Sequence, residues 1–531
     1  MVREKKADVV IIGGSLGGCA AALAAARLGK TVILTEETEW IGGQLTSQAV
    51  PPDEHWKIEQ YGCTGSYRQF RDGVRAYYRR NLPLTPEAAA TSNLNPGNAK
   101  VSRVSHDPRV ALAVLQEMLA PYTLSGKLVI LTRCVPESAE MDGDRIRSIT
   151  VRNVVTGTVT VASAPYFLDA TDCGELLPLT GTEYVTGAES RNETGERHAL
   201  EGPADPQDMQ AITHCLVVDH IEGGDFTIDK PNDYEFWRSF RPDFWPDFFL
   251  SFSGVRPSTL EHVRYDLFPG GQGLTFWEGF SLVSYRRLAD KTLFAPGTFD
   301  GDMTVVNWPQ NDYFLGSIID VDEAEKSRNL RRAKELSLSL LYWLQTDAPR
   351  PDGKTGYPGF RLRRDVFGTD DGLALYPYIR ESRRIKAEFT ILEQHVNPQD
   401  RPDGRAAAFE DSVGIGHYGL DLHPSTGNRH YIHLAALPFQ IPLGSLIPIR
   451  VDNLLPACKN IGTTHITNGC YRLHPVEWNI GEASGALAAF CLERGHSPRA
   501  VKNDPALLAD FQSALAKLGV ELAWPSSVSV R

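Results

Sequence analysis

Apolar residues in this chain gather into short runs separated by glycine turns, and helical spacing appears only between them. ADVVII, Ala7 to Ile12, is a run of β-branched type, the pattern of a central parallel strand buried on both faces. A turn follows, Gly13-Gly14-Ser15-Leu16-Gly17-Gly18. CAAALAAARLG then predicts a helix with small residues along one side, able to lie close to a sheet. TVILTE, ending in Glu36, reads as a second strand. LVILTRCVPESAEMDGDRIRSITVRN (128–153) reads as alternating strands, and PYFLDATDCGELLPLTG (165–181) as a strand running into a turn. DEAEKSRNLRRAKELSLSLLYWLQT (322–346) predicts an amphipathic helix with Leu330, Ala333, Leu340, Leu341 and Leu344 on one face. Near the end, SGALAAF continues a helix expected to begin near Asn479-Ile480-Gly481-Glu482.

The first strand, turn, helix and strand form the layout of a dinucleotide-binding unit. Gly13 permits the tight turn and Gly18 permits close helix–strand packing. The middle position of the usual G-x-G-x-x-G must let a pyrophosphate approach the backbone at the helix N-terminus. Here that position is Ser15, small enough to be tolerated and carrying a hydroxyl that can donate to phosphate. Glu36 stands 18 positions after Gly18, near the spacing expected for the acid that binds a ribose 2′-hydroxyl, with Glu37 beside it. An acid there disfavours a 2′-phosphate.

Composition narrows the partners. With 531 residues, 42% hydrophobic and 23% charged, the chain has room for two or three domains with sizeable cores. A net charge of -12 argues against a nucleic-acid partner. Eight cysteines without a C-x-x-C pair suggest neither a disulfide scaffold nor a metal site. No apolar run reaches the length of a membrane span, and a cytoplasmic enzyme is expected.

A second glycine pair in ETEWIGGQLTSQ lies just past the ribose acid, and a nicotinamide unit has no need of it. That layout resembles flavoproteins of the fumarate-reductase and glutathione-reductase type, in which such a loop runs beside the ribityl chain and the flavin ring. GGQLTSQAVPPDEH, NPGNAKVSRVSHDPRVAL, VNWPQNDY, YIRESRRI and LLPACKNIGTTHITNGCYRLHPVEWNIGEASG resemble a group of bacterial FAD-dependent oxidoreductases and span most of the chain. The resemblance implies an α/β fold: a Rossmann-like FAD-binding domain, a parallel sheet with a β-meander, and an inserted α+β substrate or cap domain. It places FAD-binding segments at 1–215 and 405–531, with the cap domain at 216–404. It implies FAD contacts at Gly13, Gly14, Ser15, Leu16, Gly17, Gly18, Glu36 and Glu37. It extends them to Gly42, Gly43, Gln44 and Thr46, to Val135 by the adenine, and to Ala170, Thr171 and Asp172 by the pyrophosphate. Asn479, Ile480 and Gly481 complete the set, at a helix N-terminus facing the flavin's pyrimidine edge.

The expected activity is hydride transfer between a small organic substrate and flavin N5, with an unidentified electron acceptor and homo-oligomerisation left open. The alternatives are a flavin-binding protein with a structural cofactor and an NAD-only dehydrogenase, the latter disfavoured by the GGQ loop. Such chemistry needs a proton acceptor and an orienting cation. GTTHITNGCYRLHPVEWN offers His465, Arg472 and His474, with Glu477 as a carboxylate near the helix start. YPYIRESRRIKAEF offers Arg380 as a grip for a substrate anion, the plain reading being a packed Arg–Glu network. GIGHYGLDLHPS offers His417, Asp421 and His423, placed by alternation on one face of a strand. Those types could form a metal site, but no other signal supports one. His55 and His106 read as structural, with His55 also a point for covalent flavin attachment. The aromatic stretches DYEFWRSFRPDFWPDFFLSFSG and GGQGLTFWEGFSLVSYRRL read as core or as pocket lining.

Overall fold

The computed structural model describes residues 2–270, 281–526 and 528. A five-stranded parallel sheet runs in the order Leu454–Pro456, Tyr166–Asp169, Val9–Ile12, Val32–Glu36, Leu128–Thr132. The continuous apolar run of Val9–Ile12 follows from burial on both faces. Val9 and Ile11 face one core, with the helices, while Val10 and Ile12 face another, with the meander. The meander sheet holds Cys134–Asp142, Arg145–Asn153 and Val159–Ser163, and its outer strand is Val2–Lys6, paired parallel to Val159–Ser163. LVILT is therefore not part of the meander. Arg133, at φ 58°, breaks the chain between the parallel edge strand and Cys134.

On the helical face, Leu16–Arg27 crosses the long C-terminal helix His474–Arg494 in backbone contact. A Cβ on Gly481 would lie 2.0 Å from the Gly17 carbonyl oxygen, and one on Gly485 would lie 2.3 Å from that of Ala21. The small residues of both helices thus set their separation. The C-terminal helix begins at His474, five residues before the expected start at Asn479. Pro475 sits in its first turn, where a missing N–H costs nothing. Asn479, Ile480 and Gly481 are consequently in the helix body, not at its N-terminus. A short separate helix, His465–Tyr471, precedes it, closed by a capping box between Thr464 and Thr467.

The middle of the chain builds a four-stranded antiparallel sheet ordered Arg287–Ala289, Met303–Val306, Leu216–His220, Phe360–Leu362. The helix Glu323–Thr346 packs on it through Ala333, Leu340, Leu341 and Leu344, with Leu330 only partly buried. Trp237, Trp245, Phe249 and Phe252 from the aromatic stretch lie in that core, and Phe236 and Phe248 are exposed. The part of the second aromatic stretch at 271–280 lies outside the described residues. Ser412–Gly416 and Leu420–Leu422 are separate strands pairing with different partners. His417 and Asp421 therefore do not share one strand face.

Candidate active site

The carboxyl ends of the parallel strands open into a cleft. Its walls include Gly13, Ser15, Glu36, Glu37, Cys134, Pro136, Thr171, Asp172 and Tyr376. Gly13 takes φ 99°, and a Cβ there would sit 2.3 Å from the Ala170 carbonyl, so only glycine fits the crossing. Ser15 is the N-cap of the first helix: its hydroxyl oxygen accepts from the Gly18 N–H at 3.2 Å. The N–H groups of Ser15 and Leu16 have no hydrogen-bond partner among the described residues, leaving two donors at the helix start. Glu36 accepts from the Gly14 N–H (3.0 Å), the Thr38 N–H (2.8 Å) and the Thr38 hydroxyl (2.7 Å). Burial pushes its carboxyl up to about 7 against those hydrogen bonds. Burial, then Glu175, pushes Glu37 up to about 8.

Past the helix start, Gly42 (φ 108°) and Gly43 (φ 47°) bring Gln44 inward, and the Gly42 N–H donates to the Gly14 carbonyl at 2.7 Å. Gln44 donates to the Arg472 carbonyl (3.0 Å) and to Glu477, while its own Oε1 is buried without a partner among the described residues. Lys459 is buried between Asp172 (2.5 Å) and Glu477 (3.3 Å). Glu477 also accepts from the Gly17 N–H at 3.1 Å, so one carboxylate ties the two crossing helices together.

Beyond Arg472 lies a buried cluster of polar side chains shared with the inserted sheet. Arg472 reaches the Asp421 carbonyl (3.0 Å), the Asp421 carboxylate (3.5 Å) and the Tyr378 hydroxyl (3.4 Å). Arg286 pairs with Asp53 at 2.8 Å. Arg380 stacks over the Tyr378 ring at 5.1 Å and pairs with Asp312 at 2.9 Å. Asp312 also binds His423 Nδ1 at 2.6 Å, and Asp421 binds His433 Nδ1 at 3.0 Å. Among the described residues no cluster of three His, Cys, Asp or Glu is arranged to hold a metal ion, and no helix is long and apolar enough to cross a membrane.

The family model of FAD-dependent oxidoreductases matches residues 8–515. The chain belongs to that family. A search of curated proteins finds no match. Among solved structures, the L-proline dehydrogenase of P. horikoshii is 16% identical over 36% of this chain and 26% of its own length, with a TM-score of 0.19. A variant of the E. coli quinol fumarate reductase FrdA is 10% identical over 97% of this chain and 74% of its own, with a TM-score of 0.32. A geranylgeranyl bacteriochlorophyll reductase-like protein of Thermoplasma acidophilum is 10% identical over 97% and 84%, with a TM-score of 0.31.

In this FAD-dependent oxidoreductase the cofactor residues expected from sequence fall into two groups. Gly13, Ser15, Glu36, Glu37, Ala170, Thr171 and Asp172 line the cleft, and Gly14 packs against Glu36. Val135 lies on the meander strand between Cys134 and Pro136, which line it. Gly43 and Gln44 lie next to Ser15 and Arg472 respectively, at the inner end. The second group is packing. Leu16 is core, Gly17 and Gly18 sit at backbone contacts, and Thr46 closes its own loop onto the Ile41 carbonyl. Ile480 is core, Gly481 meets Gly17, and Asn479 donates to the Val413 carbonyl.

The candidate catalytic groups divide as well. Arg472 and Arg380 belong to the buried polar cluster. His465 binds Glu381 (3.0 Å) in a buried network with Arg384 and Glu189, the packed Arg–Glu arrangement. His417 turns to another side, its Nε2 on the Ala436 carbonyl and its ring against His55 and Trp524. His106 is core, its Nδ1 on the Val104 carbonyl. The cysteines are all buried and unpaired, and burial pushes thiols such as Cys173 up to about 12. Asp53, Arg286, Asp312, Tyr378 and Lys459 were not singled out by sequence. Only Lys459, a lone charge inside the apolar LLPACKNIG, carried a local signal.

His474 cannot serve as a base in this geometry. Its Nδ1 accepts from the Asp53 N–H (3.0 Å) and its Nε2 donates to the Val50 carbonyl (3.1 Å). Burial pushes the imidazole down to about 3. A histidine depressed on folding contributes stability that is present above its unfolded value of 6.5 and lost as pH falls toward the folded one. The stability difference between wild type and His474→Asn, followed by urea unfolding, is therefore expected to shrink as pH falls from 6.5 toward about 3. The slope reaches at most about 1.4 kcal/mol per pH unit. A difference independent of pH would contradict the buried neutral histidine.

Proposed function

We propose that FAD lies extended along the cleft and that the protein transfers a hydride between a small organic substrate held at the Arg472 cluster and the flavin. The observation that carries the reading is the pair of N–H groups of Ser15 and Leu16, without a partner among the described residues, beside the buried Glu36. Two free donors at a helix N-terminus suit a pyrophosphate, and an acid one strand away suits ribose hydroxyls. The crossing at Gly13 leaves no room for a side chain because the Ala170–Thr171 backbone, itself cleft wall, lies against it. FAD supplies the hydride-accepting ring. Gln44, whose Oε1 is buried without a partner among the described residues, would accept from a ring N–H, with Gly42 and Gly43 turning it inward. Lys459 holds a fixed positive charge between Asp172 and Glu477. Arg472, Tyr378 and Asp421 form the polar wall against which substrate is oriented.

The test is anaerobic addition of small metabolites to the purified holoenzyme. Bleaching of the bound flavin by a hydride donor is the expected outcome. A flavin that no donor reduces would favour a structural cofactor. Glu36→Ala is expected to weaken FAD binding by about 1–3 kcal/mol, the scale of a charge-assisted hydrogen bond. Titration of apoprotein with FAD measures it, and unchanged affinity would move the ribose elsewhere.

A further inference from the structure

The polar cluster around Arg472 holds a pair of side chains, His423 and Asp312, whose geometry is that of a general base with its orienting carboxylate. We propose that His423, held by Asp312, accepts the substrate proton, and that the donor is an alcohol or an amine, whose departing proton sits on oxygen or nitrogen. This rests on the hydride-transfer reading.

Asp312 ends a turn of the inserted sheet and its side chain is wholly buried. One carboxylate oxygen accepts from Arg380 (2.9 Å) and from the Thr213 hydroxyl (2.6 Å), and the other from His423 Nδ1 (2.6 Å). Burial would raise this carboxyl, but Arg380 and His423 hold it below the usual range, so it is a carboxylate. A carboxylate can only accept. The Nδ1 of His423 therefore carries the hydrogen, and in the neutral ring the lone pair lies on Nε2. Nε2 faces Asp421 Oδ2 at 3.7 Å, beyond hydrogen-bond length. Asp421 also binds His433 (3.0 Å) and Arg472 (3.5 Å).

Exposure points the same way. The side chain is 0% exposed at Asp312, 19% at His423, 17% at Asp421 and 40% at His433. The pair thus runs from the buried interior toward solvent, giving the proton a way out. The charged and titratable groups facing His423 are Asp312, Asp421 and, through them, Arg380, Arg472 and His433, with the Tyr431 ring 5.2 Å away. His474 has both nitrogens taken, and His465 is 3% exposed within its own ion network. Arg472 links this group to the flavin side, since its carbonyl accepts from Gln44 while its guanidinium meets Asp421.

The step balances as follows. The C–H bond of the donor breaks and its electron pair leaves with the hydrogen, as hydride, to oxidised flavin. The O–H or N–H electron pair becomes the second bond of C=O or C=N. The proton moves to His423 Nε2, and the imidazolium formed lies between the carboxylates of Asp312 and Asp421. His423 is the catalytic residue here, and Asp312 and Arg380 are positioning residues.

Two measurements on the FAD-loaded protein test this. Diethyl pyrocarbonate acylates open, unprotonated imidazole nitrogen. Peptide mapping is expected to find His423 modified and His474 untouched, and an inert His423 overturns the proposal. Anaerobic stopped-flow reduction by a panel of alcohols, 2-hydroxy acids, amines and amino acids, with thiols and NADH for contrast, gives the second. His423→Gln is expected to retain FAD, to slow reduction about 100-fold or more, and to lose the wild-type dependence of rate on pH. Asp312→Asn should flatten the same pH limb, which a merely structural loss would not do. Reduction by thiols or NADH alone overturns the donor class. Wild-type rates in His423→Gln overturn this inference while leaving hydride transfer intact, whereas a holoenzyme that no donor reduces overturns both.

Discussion

Gly13→Ala protein is expected to emerge from purification without its yellow colour. Two costs coincide at this position. The backbone is at φ 99°, where a side chain is strained, and the added carbon would meet the Ala170 carbonyl at 2.3 Å and the Thr171 N–H at 2.4 Å. The segment that must move, Ala170–Thr171, is itself cleft wall. Displacing it should reduce FAD retention by about 100-fold or more, as misplaced phosphate donors lose their geometry. Gly29→Ala separates strain from crowding. Gly29 is also at positive φ (84°), but nothing lies within 4 Å of the position a Cβ would take. That variant should lose about 1–2 kcal/mol of stability and keep its flavin. The ratio of flavin to protein absorbance reads both, and a yellow Gly13→Ala would mean that the cleft does not carry the pyrophosphate.

Lys459→Met is expected to be the most destabilising single charge removal near the site. The ammonium is wholly buried between Asp172 and Glu477, and both carboxylates hold it in the charged form against burial. Removing it leaves two buried acids without their cation, a loss of about 3–5 kcal/mol. Urea unfolding measures it. Adding Glu477→Gln to Lys459→Met should recover part of the loss, because it removes one of the uncompensated charges. A single variant as stable as wild type would show that water already reaches this cluster.

The strand, glycine turn, small-residue helix and acid were legible because each rests on local rules. Alternation of Val9, Val10, Ile11 and Ile12 between two cores is the expected consequence of a strand buried on both faces. The helix start at His474 was missed by following the small residues after Asn479, although Pro475 is itself a first-turn signal. The capping box of Thr464 and Thr467 likewise closes a short helix just before it. The polar cluster was not legible for a different reason. Asp312 and His423 are 111 residues apart, and Asp53 and Arg286 are 233 apart, so these pairs exist only once the inserted sheet is docked. Residue type alone could nominate His465 and His474 equally with His423. Only the engagement of each ring nitrogen separates them.

The most direct test of the whole account is a crystal structure of the FAD-loaded protein. It should place the ribose hydroxyls on Glu36, the pyrophosphate over the Ser15 and Leu16 N–H groups, and the flavin ring beside Gly43 and Gln44, with one face toward the cluster of Tyr378, Asp421, His423 and Arg472. A ring turned away from that cluster, or a pyrophosphate bound outside the Gly13 crossing, would contradict it.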